Sequence, residues 1–506
     1  MGVIQQLIQG FSVAASFQNL LYCTVGCFLG TLVGVLPGLG PTAGMAMLIP
    51  ITAGLPPVTA MIMLCGIYYG SMYGGSTTAI LINCPGEAAS VPTALDGYPM
   101  TLQGRAGPAL GMAAISSWIA GTFGVVMLSI LGPALSDVAL KFGPVENFSL
   151  MCLGLTIIVS LAGKSLVKGL ISGLLGLFLS TVGIDPIWGT GRLAYTTDLL
   201  GGIDFISVIV GLFAIAEVLN KSQQVFQKMP PVPRGLRALL PNRKDMADST
   251  GAFVRSSLLG FFIGILPGVS SSVASFMAYD LEKKFSCHPD KFGHGAIEGI
   301  AAAEGANNSA VSGGMVPLMT LGLPVSAPMA VLLGALMVHG LQPGPLLFSK
   351  DATFVWGLIA SMYIGNLILL ILNLPLVPLW ARLSLVPQYI MSPVILVLSL
   401  VGTYTVRNSM FDVWMAVLFG IVGYYMNKCK FPTPPLVLGL ILGPMFEAAL
   451  RQSLTLSQGS AAIFVQKPIS LALLVAAVLS VVLSMVGRAR EKRIGKALLF
   501  AEESDQ

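Results

Sequence analysis

Charge is what this sequence has least of. Only 10% of its 506 residues are Asp, Glu, Lys or Arg, against roughly 25% in a soluble globular chain. The first 86 residues hold no acidic, basic or histidine side chain, and the first charge is Glu87. A secretory signal peptide needs a basic segment ahead of its apolar core. None is present, so the first apolar span is expected to direct insertion itself. The seven cysteines, Cys23, Cys27, Cys65, Cys84, Cys152, Cys287 and Cys429, form no zinc-type CxxC pair and read as small core residues. There is no GxxxxGK[ST] phosphate loop, which argues against an ATP-driven pump, and no HExxH motif of an intramembrane metalloprotease. His294 and His339 stand alone, a poor basis for a metal site.

What is there is apolar. Hydrophobic residues make up 55% of the chain, and the mean hydropathy is +0.84. Most of the surface must therefore face lipid, and length is better divided into membrane helices than into soluble domains. A spanning helix needs about 20 mainly apolar residues. Charge-free runs cover 106–136, 147–163, 169–184, 205–216, 256–279, 352–381, 383–406, 413–427, 431–446 and 468–487, with longer, broken stretches at 18–86 and 305–349. The expected fold is an all-α polytopic membrane protein of about 10–14 membrane segments.

The net charge of +5 reports loop orientation rather than an anionic partner such as nucleic acid. Lys221, Lys228, Arg234, Arg237, Arg243 and Lys244 crowd a Pro-rich linker at 221–250, and Arg488, Arg490, Lys492, Arg493 and Lys496 crowd the tail at 488–506. Both are expected in the cytoplasm by the positive-inside rule. Alternating spans then put the N-terminus outside and the C-terminus inside.

The linker separates two membrane halves, 1–220 and 251–487, that resemble each other. Gly34-Val-Leu-Pro-Gly38 in the first answers to Gly264-Ile-Leu-Pro-Gly268 in the second. Further on, Gly74-Gly75 precedes Pro85 and Gly313-Gly314 precedes Pro324 at the same spacing. The topology makes the two copies inverted, with broken-helix or re-entrant cores at 18–104 and 251–345. Paired Gly/Pro-interrupted apolar segments in inverted repeats are a sequence pointer to a secondary transporter's binding site.

Helix breaks free backbone groups that cost several kcal/mol each in hydrocarbon. They are therefore expected inside the bundle, at Pro37-Gly38, Gly74-Gly75, Pro85-Gly86, Pro267-Gly268, Gly313-Gly314 and Pro324. Hydroxyl and amide residues accompany them: Thr42, Ser76, Thr77, Thr78 and Asn83 in the first copy, Ser270, Ser271, Ser272, Asn307, Asn308, Ser309, Ser312 and Thr320 in the second. Half-helix N-termini favour a carboxylate, while unwound carbonyls favour Na⁺. The candidate substrate contacts are Gly38, Thr42, Gly74, Gly75, Ser76, Thr77, Thr78, Asn83, Pro85, Gly86, Ser270, Ser271, Asn308, Ser309, Gly313, Gly314, Thr320 and Pro324. The candidate cation contacts are Pro37, Asn83, Pro267, Glu304, Asn307 and Thr320. The competing reading is that the small residues only let helices pack closely. Among the acids, Glu304 is the better cation candidate, Glu87 and Asp96 read equally as loop-end or gate residues, and Glu217 and Glu447 read as interfacial. A channel would also use broken helices and a polar lining.

Longer motifs narrow this. Gly34-Val-Leu-Pro-Gly-Leu-Gly-Pro41, Tyr73-Gly-Gly-Ser-Thr-Thr78, Asn83-Cys-Pro-Gly-Glu87, Ala94-Leu-Asp-Gly-Tyr-Pro99, Gly104-Arg-Ala-Gly107, Ala306-Asn-Asn-Ser309, Leu318-Met-Thr-Leu-Gly-Leu-Pro324 and His339-Gly-Leu-Gln-Pro-Gly-Pro345 resemble the large membrane subunit of tripartite tricarboxylate transporters over nearly the whole chain. The resemblance implies a bacterial inner-membrane protein that pairs with a small membrane subunit and receives its carboxylate from a periplasmic solute-binding protein. It also implies uptake coupled to a Na⁺ or H⁺ gradient, without ATP. Val325 stands where the family often has Gly after the proline.

Overall fold

A computed structural model describes residues 2–36, 39–161, 165–185, 188–220, 235–266, 271–383, 386 and 388–482. Pro37, Gly38, Pro267 and Ser270 lie outside the described residues, as do the linker between 221 and 234 and the tail from 483 onward. The described part of the chain is predominantly helical. Its helices of at least twelve residues are α1 (Val3–Ala14), α2 (Phe17–Val35), α3 (Gly40–Thr52), α4 (Pro57–Ile82), α5 (Val91–Leu102), α6 (Ala106–Ala139), α7 (Pro144–Leu161), α8 (Leu166–Leu179), α9 (Phe205–Asn220), α10 (Arg243–Ile265), α11 (Ser271–Phe285), α12 (Ile297–Leu321), α13 (Ala327–Val338), α14 (Ala352–Asn373), α15 (Gln388–Arg407), α16 (Met410–Lys428), α17 (Pro434–Leu456) and α18 (Pro468–Val482). The described strands, Gly183–Ile184 and Gly191–Arg192, form one small hairpin.

Six described helices are long and apolar enough to cross a bilayer: α2, α6, α14, α15, α16 and α17. Together with the shorter apolar helices α8, α9, α13 and α18 they make this a multi-pass membrane protein. The charge-free runs do not map one to one onto these helices. An apolar run does not measure a helix: the run at 169–184 stops being helical at Leu179, and that at 256–279 is divided after Ile265.

Two compact units emerge. The first comprises residues 1–140 and 204–425, the second 141–203 and 426–506. Both units draw on chain from either side of the 221–250 segment. Within that segment α10 already starts at Arg243, because Asn242 and Asp245 close a reciprocal capping box there.

In the first unit α2 lies against α4. A methyl on Gly30 would meet the Ile67 carbonyl, one on Gly34 the Ser71 carbonyl, and one on Gly74 the Thr31 carbonyl. The same packing recurs between α10 and α12, where Gly260 faces Ala306, Gly264 faces Ala310 and Gly313 faces Phe261. The residue correspondences are those that superpose the two Gly-Pro motifs and the two Gly-Gly motifs. Helix ends match too. α4 stops at Asn83 (φ 53°) with Cys84 N–H on the Thr78 carbonyl at 3.3 Å, and α12 stops at Gly322 (φ 67°) with Leu323 N–H on the Pro317 carbonyl at 3.1 Å. Left-handed caps of this kind satisfy carbonyls that the helix leaves open.

This corrects one expectation. Gly74-Gly75 and Gly313-Gly314 break nothing: they lie inside the continuous helices α4 and α12. Gly74 and Gly313 allow backbone-to-backbone approach, the small-residue packing that was the competing reading. The interruptions fall instead between Val35 and Gly40, between Ile265 and Ser271, and after Asn83 and Gly322.

The second unit is held differently. Gly176 and Gly439 bring α8 against α17, and Phe148 sits between Phe446 and Phe464. Beside the hairpin, Arg192 donates to both oxygens of Glu447 (2.8 and 3.2 Å) and Arg451 to both of Asp185 (3.3 and 2.9 Å). Glu447, read as an interfacial acid, is thus ion-paired.

Candidate functional site

α12 carries Glu304, Asn307 and Asn308 at helical spacings of three and four, hence on one face. That face looks onto the first half of the chain. Glu304, fully buried, accepts from Thr93 Oγ1 of α5 and, at 3.5 Å, from Ser117 Oγ of α6. The Ser76 hydroxyl of α4 lies beside the same carboxyl. Asn308 Nδ2 donates to Ser117 Oγ at 2.8 Å and to the Glu304 carbonyl at 3.1 Å, fixing both. One turn on, Asn307 Nδ2 donates to Glu87 Oε1 at 3.0 Å. Glu87 sits just after the α4 break, partly exposed, and Gly75 makes room for it: a methyl there would lie 3.0 Å from Glu87 Cγ.

Two carboxyls therefore stand in one polar cluster built from both halves. Among the described residues neither forms an ion pair, and no His/Cys/Asp/Glu cluster of metal-site size occurs. Next to Glu304 a narrow cleft of about 10 Å³, room for about one water, is lined by Tyr73, Ser76, Thr77, Ser117 and Asn373 together with apolar Leu110, Ala113 and Ala114. Asn373 Oδ1 is buried there without a hydrogen-bond partner.

The contacts between halves are reciprocal. The motif correspondence that pairs Asn307 with Tyr68 also pairs Glu87 with Ser326. Tyr68 does lie with its hydroxyl beside Ser326, as Asn307 lies beside Glu87. Each buried helix reaches the break of the other copy.

The expected site residues divide into groups. Ser76, Thr77, Asn307, Asn308 and Glu304 come together around the cluster and cleft. Gly75 and Gly86 serve the break by close approach, Gly86 meeting the Gly34 carbonyl, and Gly314 makes equivalent room for Val325. The Thr78 and Thr320 hydroxyls bond to their own helices, at Gly75 and Val316, and Ser309 bonds to the Ser257 carbonyl of α10. Pro85 and Pro324 follow the two helix ends, Pro324 buried. Asn83 is exposed, its local task being the left-handed cap. Thr42 and Ser271 open α3 and α11, each half-buried with no described polar partner. Pro37, Gly38, Pro267 and Ser270 lie outside the described residues.

Thr93, Ser117 and Asn373 were not singled out from sequence, and Tyr73 entered only as the first residue of the Tyr73–Thr78 motif. A lone hydroxyl or amide in an apolar run carries no signal, since most such groups simply bond to the preceding helical turn. Asp96 proves architectural: fully buried, it accepts from the Tyr279 hydroxyl at 2.8 Å and from the N–H groups of Gly293, Gly295 and Ala296 at 2.8–2.9 Å.

Comparison with known proteins agrees with the motifs. The profile described as "Tripartite tricarboxylate transporter TctA family" matches residues 20–438. A protein of Agrobacterium vitis described as "Uncharacterized 52.8 kDa protein in TAR-I ttuC' 3'region" is 44% identical over 494 residues, 97% of this chain and 98% of the relative. A second from the same organism, "Uncharacterized protein in TAR-II ttuC' 3'region", is 42% identical over 234 residues, 46% of this chain and 97% of the relative. No solved structure matches.

Proposed function

Since the chain belongs to the tripartite tricarboxylate transporter TctA family, we propose that it is the translocating subunit of a binding-protein-dependent secondary transporter. It imports a small carboxylate by symport with a cation. It works in a bacterial inner membrane with a small membrane subunit and a periplasmic solute-binding protein. The observation that carries this reading is that each of two buried helices reaches the break of the other copy, α12 through Asn307 at Glu87 and α4 through Tyr68 beside Ser326, around a buried polar cluster at Glu304. Irregular backbone at membrane depth survives only where protein or a water-filled cavity covers it, and secondary transporters place their sites at such breaks.

The two copies are inverted repeats in this reading, and the reciprocity of their contacts is that of a two-fold axis. In this reading the cleft, which here has room for about one water, opens to take the carboxylate against the hydroxyls and amides of Ser76, Thr77 and Asn373, and the coupling cation lies at Glu304 and Asn307. No arginine clamps the anion, so its hold is by neutral donors.

The test is uptake of labelled citrate and other carboxylates into vesicles carrying the chain with both partner subunits. Uptake is expected to saturate, to need the binding protein, and to collapse with the ion gradient. Robust non-saturating flux without the binding protein would identify a channel instead. Asn308→Leu is expected to lower uptake at least about tenfold with normal membrane insertion, as lost positioning of a site does; unchanged uptake would remove that residue from the site.

A further inference from the structure

Glu87 and Glu304 are both rare charges in a nearly uncharged region. Glu304 is fully buried, and a carboxylate away from water costs several kcal/mol unless something compensates it; Glu87 is partly exposed. Neither is paired with Lys, Arg or His among the described residues. Nor does the packing require them: the corresponding positions of the other copy hold Ser326 and Cys65, and the helix ends there are built the same way. One glycine of α4 is given over to seating the Glu87 side chain. A neutral residue fits this backbone, so the acids answer to something other than architecture.

A second, independent feature points to a ligand. Asn307 donates through Nδ2 to Glu87, while its Oδ1 is fully buried and has no hydrogen-bond partner. The unsatisfied atom is an acceptor, on an amide whose Nδ2 already meets the Glu87 carboxyl. A bound proton would add a donor to one carboxyl. Oxygens drawn from carboxylate and amide, with hydroxyls close by, are what a hard cation takes. With only two acids, one already surrounded by three hydroxyls, the charge suits a monovalent ion better than a divalent one.

We infer that Glu87, Asn307 and Glu304 form a binding site for one sodium ion, with Glu87 at its accessible side and Glu304 at its buried end. This rests on the transport reading for its purpose and on the side-chain geometry for its place. It supplies the coupling by electrostatics. Two uncompensated carboxylates repel an anionic substrate entering the adjoining cleft, and a bound sodium ion removes part of that repulsion. Sodium and carboxylate then each raise the other's affinity by the same factor.

The measurement is thermal unfolding of the detergent-purified full chain in sodium chloride against choline chloride at equal ionic strength, with ²²Na⁺ equilibrium binding alongside. A ligand that binds only the folded state raises the unfolding midpoint with concentration. Sodium is expected to raise it, and Glu87→Gln and Glu304→Gln to weaken ²²Na⁺ binding at least about tenfold. Ser326→Ala, at the equivalent place in the other copy, is expected to retain sodium binding. If either glutamine variant fails to fold, the wild-type chain still decides. No sodium-specific shift there, or stability that follows pH alone, overturns the site in favour of a proton. Glutamine variants that keep full sodium affinity overturn it as well. Carboxylate uptake driven by a pH gradient and indifferent to sodium would remove this site while leaving the transport reading in place.

Discussion

Asp96 gathers four donors onto one buried carboxylate, three of them backbone N–H groups of the 293–296 turn and the fourth the Tyr279 hydroxyl. The turn belongs to the second copy and Asp96 to the first, so this side chain latches the copies together. Removing it strands every donor at once, and a stranded buried donor costs more than a hydrogen bond contributes. Asp96→Ala is therefore expected to cost about 3 kcal/mol and to lower the unfolding midpoint in detergent. Tyr279→Phe, which removes one hydroxyl bond to a charged acceptor, should cost about 2 kcal/mol. Equal midpoints for Asp96→Ala and wild type would show the latch to be dispensable. The acids separate at this scale by their partners: Asp96 is saturated with donors, while Glu87 holds one amide whose own oxygen is left without a donor. That separation is not legible in the sequence, where both follow closely on Pro85-Gly86 and read as loop-end residues; the structure puts Asp96 inside α5 instead. Glu304 stands out in the sequence as an acid between long apolar segments, and its burial among hydroxyls is what that position led one to expect.

At the scale of helices, the sequence announced where they end more reliably than what its glycines do. Proline lacks an N–H and clashes with the turn before it. The ends of α2, α4, α10 and α12 accordingly fall just ahead of the Pro37, Pro85, Pro267 and Pro324 positions. Glycine has two uses that look alike in one dimension, backbone freedom and absence of a side chain. Gly74 and Gly313 use the second, which is why breaks expected there became helix contacts. Only the partner helix distinguishes the two cases. The packing predicts a graded mutational response. Gly34→Leu and Gly264→Leu would drive a side chain into the Ser71 and Ala310 carbonyls, and overpacking of this kind costs about 1–3 kcal/mol. Gly54→Ala has open space around it and should stay within about 0.5 kcal/mol of wild type. Thermal midpoints and yield of folded protein in detergent check the contrast; a Gly34→Leu variant as stable as Gly54→Ala would mean that α2 and α4 are not in backbone contact.

For the whole molecule the open quantity is orientation. Reciprocal contacts between copies, Asn307 with Glu87 and Tyr68 with Ser326, fit a two-fold axis either in the membrane plane or along its normal. The first makes the copies enter from opposite sides, the second from the same side. The distribution of charge predicts the first. The N-terminal half before Glu87 has no charge with which to anchor itself, whereas the 221–250 segment carries Lys221, Lys228, Arg234, Arg237, Arg243 and Lys244. Basic residues close to span ends remain cytoplasmic, so α10 should start from the cytoplasm. The tail, with Arg488, Arg490, Lys492, Arg493 and Lys496, should remain there too. With the alternation of spans expected from the sequence, residue 1 is predicted to lie in the periplasm. Reporter fusions to residue 240 and to the C-terminus are expected to give cytoplasmic signals, and a tag at the N-terminus to be reached by a membrane-impermeant probe from outside. Cytoplasmic signals at both the N-terminus and residue 240 would make the copies parallel. The axis would then run along the membrane normal, both breaks would open toward one side, and access would have to alternate by some means other than exchanging the roles of two inverted halves.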